Sequence, residues 1–283
     1  MKKLMALLLA ATMLTSLAAC SGGDNGNDDN LDDYKQEEII NTSETKGNDT
    51  FHFEAVDSES VVITGFDSID DAAHAVKIPA VLDQKLVVGI KQEAFAYKSS
   101  ISALTFPTVE EYKAADPSFS LDTFEFEIQK AAFRECAMLK SVSLPTYVTA
   151  LGELAFYGCT SLTTVNIASD IKIDEIKYAS FMDCTALPTI TLPATILTVG
   201  KAAFYGCSSL ASVKINEGTA LIETEAFQNC TALSRVELPA SLLSIGSVAF
   251  HGSEALFEGG IVYSGESEEV LQYIDDLDLV PAE

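Results

Sequence analysis

Apolar positions recur along this chain in columns set 23 residues apart. Phenylalanines at Phe95, Phe133, Phe156, Phe181, Phe204, Phe227 and Phe250 are separated by 38, 23, 25, 23, 23 and 23 residues. Five positions before each stands an aliphatic side chain: Ile90, Ile128, Leu151, Ile176, Val199, Ile222 and Ile245. Six positions after come Ile101, Leu139, Leu162, Leu187, Leu210, Leu233 and Leu256. Three further on are Leu104, Val142, Val165, Ile190, Val213 and Val236, and two beyond those Phe106, Leu144, Ile167, Leu192, Ile215 and Leu238. The final step of two is the period of a strand that buries one face. A fixed long period is the signature of a solenoid.

Each repeat predicts one short strand, Leu-x-x-Val-x-Leu, then a turn, then an aliphatic-Gly-x-x-Ala-Phe turn leading to Cys. Pro107, Pro145, Pro193 and Pro239 mark the first turn, where a missing N–H stops a ladder at no cost, and Ala168 and Asn216 take that place in two coils. A single coil buries too little to order its own backbone, so stability has to come from stacking on neighbours. The predicted fold class is an α/β-type repeat solenoid with short parallel strands on one face, about seven coils of 23 residues and a C-terminal capping helix.

The run Cys-x-x-Leu-x-x-Val-x-Leu-Pro followed by Ile-Gly-x-x-Ala-Phe, as in residues 230–239 and 245–250, resembles the BspA-like (Treponema pallidum type) leucine-rich repeats. The resemblance covers about residues 77–262. It implies a right-handed leucine-rich repeat solenoid and a bacterial surface protein; several members of that family bind host or matrix proteins or other cells. Lys98 and Ser253 stand where the inner coils have Cys, as end coils facing caps allow, and Ser180 replaces the Ala before Phe181.

Residues 1–19 read as an export signal, with Lys2, Lys3 and an apolar run too short to span a membrane. Leu17-Ala18-Ala19-Cys20 looks like a lipobox, which implies cleavage before Cys20, lipid on its sulfur, and contact with a membrane through that anchor alone. That would fix the protein to the outer face of a bacterial cell membrane, in a style closer to Gram-positive than Gram-negative signals. Residues 20–50 are acidic and poor in large apolar groups, a tether. Residues 51–90 read as a β cap, 91–253 as the repeats with an insertion at 108–127, and 254–283 as a closing strand and helix. In that helix, from about Ser267 to Leu277, Val270, Leu271, Ile274 and Leu277 form the expected inner face.

Charge and cysteines narrow the picture. The chain holds 42 acidic against 17 basic residues, a formal charge of -25, which repels nucleic acid. Cys136, Cys159, Cys184, Cys207 and Cys230 share one repeat position, where stacked coils bring Cα atoms within disulfide range. Their side chains point the same way and their number is odd, so a reduced buried ladder is favoured over bridges. Zinc is disfavoured by the lack of any Cys-x-x-Cys.

Two places depart from the scaffold pattern. The residues flanking the inward Val of each strand should face out: Ser141, Ser143, Thr164, Asn166, Thr189, Thr191, Ser212, Lys214, Arg235 and Glu237. Lys214 and Arg235 would add positive charge and a donor fork to this face. The insertion is acidic and aromatic, with Tyr112, Phe119 and Phe124 as candidate contact residues or as padding for a local groove.

No Gly-x-Ser-x-Gly, His-Glu-x-x-His or phosphate loop occurs, and His52, His74 and His251 are widely spaced. No enzyme, no catalytic residue and no cofactor are expected. A monomer that binds an extracellular protein is the leading expectation. A carbohydrate or envelope-polymer module and a passive surface scaffold are the alternatives.

Overall fold

A computed structural model of the chain describes residues 42–69, 72–253, 255–256 and 260–278. The export signal, Cys20 and most of the expected tether lie outside these residues. Part of the segment expected to be tether is strand: β1 (Thr42–Lys46) pairs antiparallel with β2 (Asp49–Ala55), so the cap begins before residue 51. A short, charged edge strand has the same polar composition as a linker, which is why composition misplaces the boundary.

After the hairpin come β3 (Ser60–Ser68), β4 (His74–Lys77), β5 (Val81–Leu82), β6 (Lys85–Ile90), β7 (Ile101–Thr105) and α1 (Val109–Ala115). The repeats continue as β8 (Phe126–Ile128), β9 (Ser141–Leu144), β10 (Val148–Leu151), β11 (Thr164–Ile167), β12 (Glu175–Ile176) and β13 (Thr189–Leu192). The chain closes with β14 (Thr198–Val199), β15 (Ser212–Ile215), β16 (Leu221–Ile222), β17 (Arg235–Leu238), β18 (Ser244–Ile245), β19 (Ile261–Tyr263) and α2 (Glu268–Asp278). β3 is the hinge of the topology, antiparallel to β2 and parallel to β6. With β4 parallel to β7, the supposed cap is already a coil of the solenoid.

Each coil has two strands on two sides, where the repeat pattern predicts one. The odd-numbered strands from β7 to β17 are the expected Leu-x-x-Val-x-Leu segments, and β19 is the expected closing strand. The second set, β12, β14, β16 and β18, is only two residues long and pairs in parallel. Two residues carry no alternation to read, so these strands enter the sequence only as their single buried member: Ile176, Val199, Ile222 and Ile245.

The third side is the Ala-Phe turn. Residues two before and two after each phenylalanine sit at positive φ, for example Ala179 (52°) and Asp183 (58°) around Phe181, and Ala202 (54°) and Gly206 (72°) around Phe204. Left-handed residues alternating with right-handed ones aim alternate amides along the stacking axis. Ala131, Phe133 and Glu135 thus donate to Glu153, Ala155 and Tyr157 of the next coil at 2.8, 2.8 and 2.6 Å. Glycine suits such positions, and Gly158, Gly206 and Gly252 occupy three of them.

The rings stack continuously from Phe66 to Phe250, with centroids 5.0 to 5.4 Å apart at each step. Phe66 extends the column one coil beyond the repeats visible in sequence. At the far end Tyr273 of α2 meets Phe250 edge-on at 6.3 Å, and its hydroxyl accepts from the Phe250 amide. The helix face differs from expectation: Val270 is fully buried and Tyr273, Ile274 and Leu277 pack on the core, while Leu271 is exposed. Positions 270, 273, 274 and 277 form one i, i+3, i+4, i+7 stripe, and 271 lies off it.

Candidate functional site

The predicted outward row exists. Along β9, β13, β15 and β17 the inward residues Val142, Leu144, Ile190, Leu192, Val213, Ile215, Val236 and Leu238 are buried. The alternate positions Ser143, Thr164, Asn166, Thr189, Thr191, Lys214 and Arg235 are exposed, and Ser141, Ser212 and Glu237 are half-buried. Parallel register places them side by side: Ser141 against Thr164 and Ser143 against Asn166, then Thr189 against Ser212 and Arg235, and Thr191 against Lys214 and Glu237. The Asn166 amide donates to the Ser143 hydroxyl at 3.1 Å.

The donor fork anticipated at the C-terminal end of this row is occupied. Arg235 Nε and Nη2 both donate to Glu237 Oε1, at 3.1 and 2.9 Å, and Lys214 Nζ lies 3.8 Å from Glu237 Oε2. An i, i+2 pair on one strand face is within reach of a long side chain, so Glu237 neutralises part of the charge that Lys214 and Arg235 bring.

The row is divided. β11 pairs with β9 and β13 pairs with β15, but no ladder joins β11 to β13. The division falls in the 25-residue coil, where Ile167 and Ile176 are separated by two more residues than Leu192 and Val199. Ile171 and Ile173 of that coil are buried. Val165 and Ile167, inward on β11, are only half-buried, so the face opens there.

The insertion folds as a plug: of the two alternatives, contact residues or padding, Tyr112, Phe119 and Phe124 take the second and pack inward. Thr108 caps α1, its hydroxyl accepting from Glu111 N at 3.2 Å while the Glu111 carboxylate accepts from Thr108 N at 2.9 Å. This capping box, Thr-x-x-Glu after Pro107, is a helix signal readable in the sequence. Tyr112 is fully buried, Phe124 is buried and Phe119 half-buried; the Tyr112 ring lies 5.1 Å from Phe119, 4.7 Å from Phe124 and 5.5 Å from Tyr147. Tyr112 and Tyr147 hydroxyls donate to the carbonyls of Val87 (2.9 Å) and Pro107 (2.6 Å), and burial pushes both phenols above their ordinary range. Lys172, from the 25-residue coil, donates to Leu121 O and Phe124 O at 2.7 and 3.2 Å, tying that coil to the insertion.

The five repeat cysteines are free thiols. Each donates to a phenylalanine carbonyl one coil back, as Cys184 Sγ does to Phe156 O at 3.3 Å and Cys207 Sγ to Phe181 O at 3.2 Å. Ser253 makes the same contact to Phe227 O at 3.5 Å. Burial pushes the Cys136 thiol up to about 12 and raises Cys159 and Cys184 as well. Such thiols are poor nucleophiles and poor ligands. Among the described residues no group of three or more His, Cys, Asp and Glu side chains is placed to hold a metal, and no helix is long and apolar enough to cross a membrane. His52 and His74 pair with Asp67 and Asp49, each at 2.8 Å, and His251 is exposed in the last coil.

Comparison with known proteins agrees with this architecture. A family model described as BspA type leucine rich repeat region matches residues 126–257 in six copies. A leucine rich cell surface protein from Faecalibacterium prausnitzii A2-165 is similar at 26% identity and TM-score 0.61, over 80% of this chain and 55% of its own. A leucine-rich repeat protein from Eubacterium ventriosum ATCC 27560 shares the fold at 20% identity and TM-score 0.58, over 75% of this chain and 50% of its own. The chain therefore spans about half the length of each of these two solved structures. No curated relative matches the sequence.

Proposed function

We propose that this chain, whose residues 126–257 belong to the BspA-type leucine-rich repeat family, is an exported bacterial surface protein that holds an extracellular protein against the outward row of β9 to β17. One observation carries the reading: the outward side chains Ser141, Ser143, Thr164, Asn166, Thr189, Thr191 and Ser212 are small, polar and uncharged, set in register within each of two parallel sheets of a strongly acidic molecule. Rigid display lowers the ordering cost of binding. The description of the F. prausnitzii relative as a cell surface protein supports the location. The Leu-Ala-Ala-Cys sequence ending at Cys20 supports lipid attachment there.

Thr189 and Thr191 are the residues of choice for direct contact, because both are exposed and neither is held by a neighbouring charge. Arg235 and Lys214 serve as a charge pair shared with Glu237, releasing donors to a ligand only at the expense of that contact. Catalysis has no part in this proposal; the solenoid is a binding scaffold.

The test is a screen of the full chain against a panel of extracellular proteins and a glycan array. Saturable binding to a protein, weakened at least tenfold by Thr189→Glu with Thr191→Glu, is the expected result. Saturable glycan binding would replace the protein-binding reading with a carbohydrate one. No saturable ligand of either kind would leave the passive-scaffold alternative standing. Metabolic labelling with a radioactive fatty acid, lost in Cys20→Ala, tests the anchor.

A further inference from the structure

On the outward side of the first coils, where β2, β3, β6 and β8 lie side by side, a groove of about 460 Å³ opens between the tail of β2 and the exit of the insertion. Its floor is apolar. Val56 is 57% exposed there, Val62, only 9% exposed, lines it as well, and Gly89 contributes no side chain. Gly89 pairs with Glu127 across the β6–β8 ladder, and a Cβ on it would stand 2.9 Å from the Glu127 carbonyl oxygen. A side chain at 89 would therefore fill the floor and press on the backbone beneath the rim.

The rim is acidic and incompletely paired. Glu54 meets Lys91 at 2.7 Å, which accounts for the one cation lining the groove. Glu125 and Glu127 are exposed and make no ion pair among the described residues. Both come from the end of the insertion, so the departure from the repeat delivers two uncompensated carboxylates to the edge of an apolar trough. A lone hydrated cation gains nothing from the valine floor. A side chain with a hydrocarbon stem and a positive head fits both parts.

We propose that this groove binds an extended basic segment of a partner protein, a lysine or arginine stem lying over Val56 and Val62 with its head between Glu125 and Glu127. The site is separate from the polar row of β9 to β17 and stands or falls independently of it. The insertion then has two jobs on two faces: its aromatics pack inward as a plug, and its glutamates select positive charge outside.

Fluorescence polarisation of the full chain with a fluorescein-labelled peptide alternating valine and lysine tests this, with hexalysine as the charge-only probe. The expected result is preference for the alternating peptide over hexalysine. Glu125→Gln with Glu127→Gln should weaken the alternating peptide at least tenfold, and Glu268→Gln with Glu269→Gln, the same charge change on α2, less than twofold. Val56→Lys, at an exposed position where folding is not at risk, should weaken it by a similar factor to the first pair. Equal weakening by the two glutamine pairs would show that net charge alone attracts the peptide and would overturn the proposal, as would equal affinity for hexalysine or unchanged affinity in Val56→Lys.

Discussion

The phenylalanine side and the strand sides meet the same 25-residue coil and respond differently. Both parallel sheets stop there: β10 does not pair with β12, nor β11 with β13. The aromatic side runs through, with Phe156 and Phe181 stacked at 5.4 Å and 9°, and with the amides of Leu154, Phe156 and Gly158 donating to Tyr178, Ser180 and Met182. The two extra residues lie between the strands, where a corner can bulge and bury Ile171 and Ile173. The stretch from Ile176 to Phe181 keeps its length, so the turn keeps its geometry. Continuity of the solenoid is therefore held on the side with the most tightly specified backbone.

The largest expected effect concerns the thiols that line this continuous side. Cys136 rises from its ordinary value to about 12 because the buried thiolate is desolvated. A group raised on folding supports stability fully below its unfolded value and loses it as pH climbs toward the folded one. By pH 10 the loss for this group alone is about 1 to 2 kcal/mol, and Cys159 and Cys184 shift the same way. Circular dichroism against pH should show base-induced unfolding between about pH 9 and 12, with thiol alkylation appearing only in the same transition. Alkylation of these thiols at pH 8 in the folded protein would break the account.

Next comes Phe181→Ala, which removes a ring stacked on both sides at the break. It should cost about 3 to 5 kcal/mol in urea denaturation. Phe119→Ala, in the insertion plug and half-buried, should cost less than half as much. Equal costs would mean that the column has no special role. Tyr112→Phe should lose about 1 to 3 kcal/mol by stranding the Val87 carbonyl, with the aromatic plug left in place. Smallest is Val248→Gly: a β-branched, exposed residue at φ 53° beside the last ring, whose replacement should stabilise by about 1 kcal/mol.

The sequence discloses the continuous side better than the broken one. Phe, Cys and the aliphatic columns repeat as single letters at a fixed interval, because a stacked coil needs the same shape at the same place. The two-residue strands leave no alternation, and their outer members, Thr198, Leu221 and Ser244, share no chemical type. Another column, Val148, Ile171, Ile196 and Leu242, is hidden by Thr219, which is buried because its hydroxyl donates to Ile196 O at 2.6 Å. The first coil escapes notice because Phe66 arrives within an antiparallel hairpin strand, without Ala before it or Cys after it. For the candidate site, alternation alone placed the polar row. The Arg235–Glu237 contact and the burial of Tyr112 depend on rotamer and on a neighbouring coil, neither of which repeats.

Native-state hydrogen exchange of the phenylalanine amides is the direct test of that continuity. Phe133, Phe156, Phe181 and Phe204 each donate to the next coil at 2.8 Å. They should exchange with one common free energy and one denaturant dependence, with no step between Phe156 and Phe181. Two groups of amides, one up to Phe156 and one from Phe181 onward, opening with separate free energies, would show that the 25-residue coil divides the solenoid into independent units and would contradict the account.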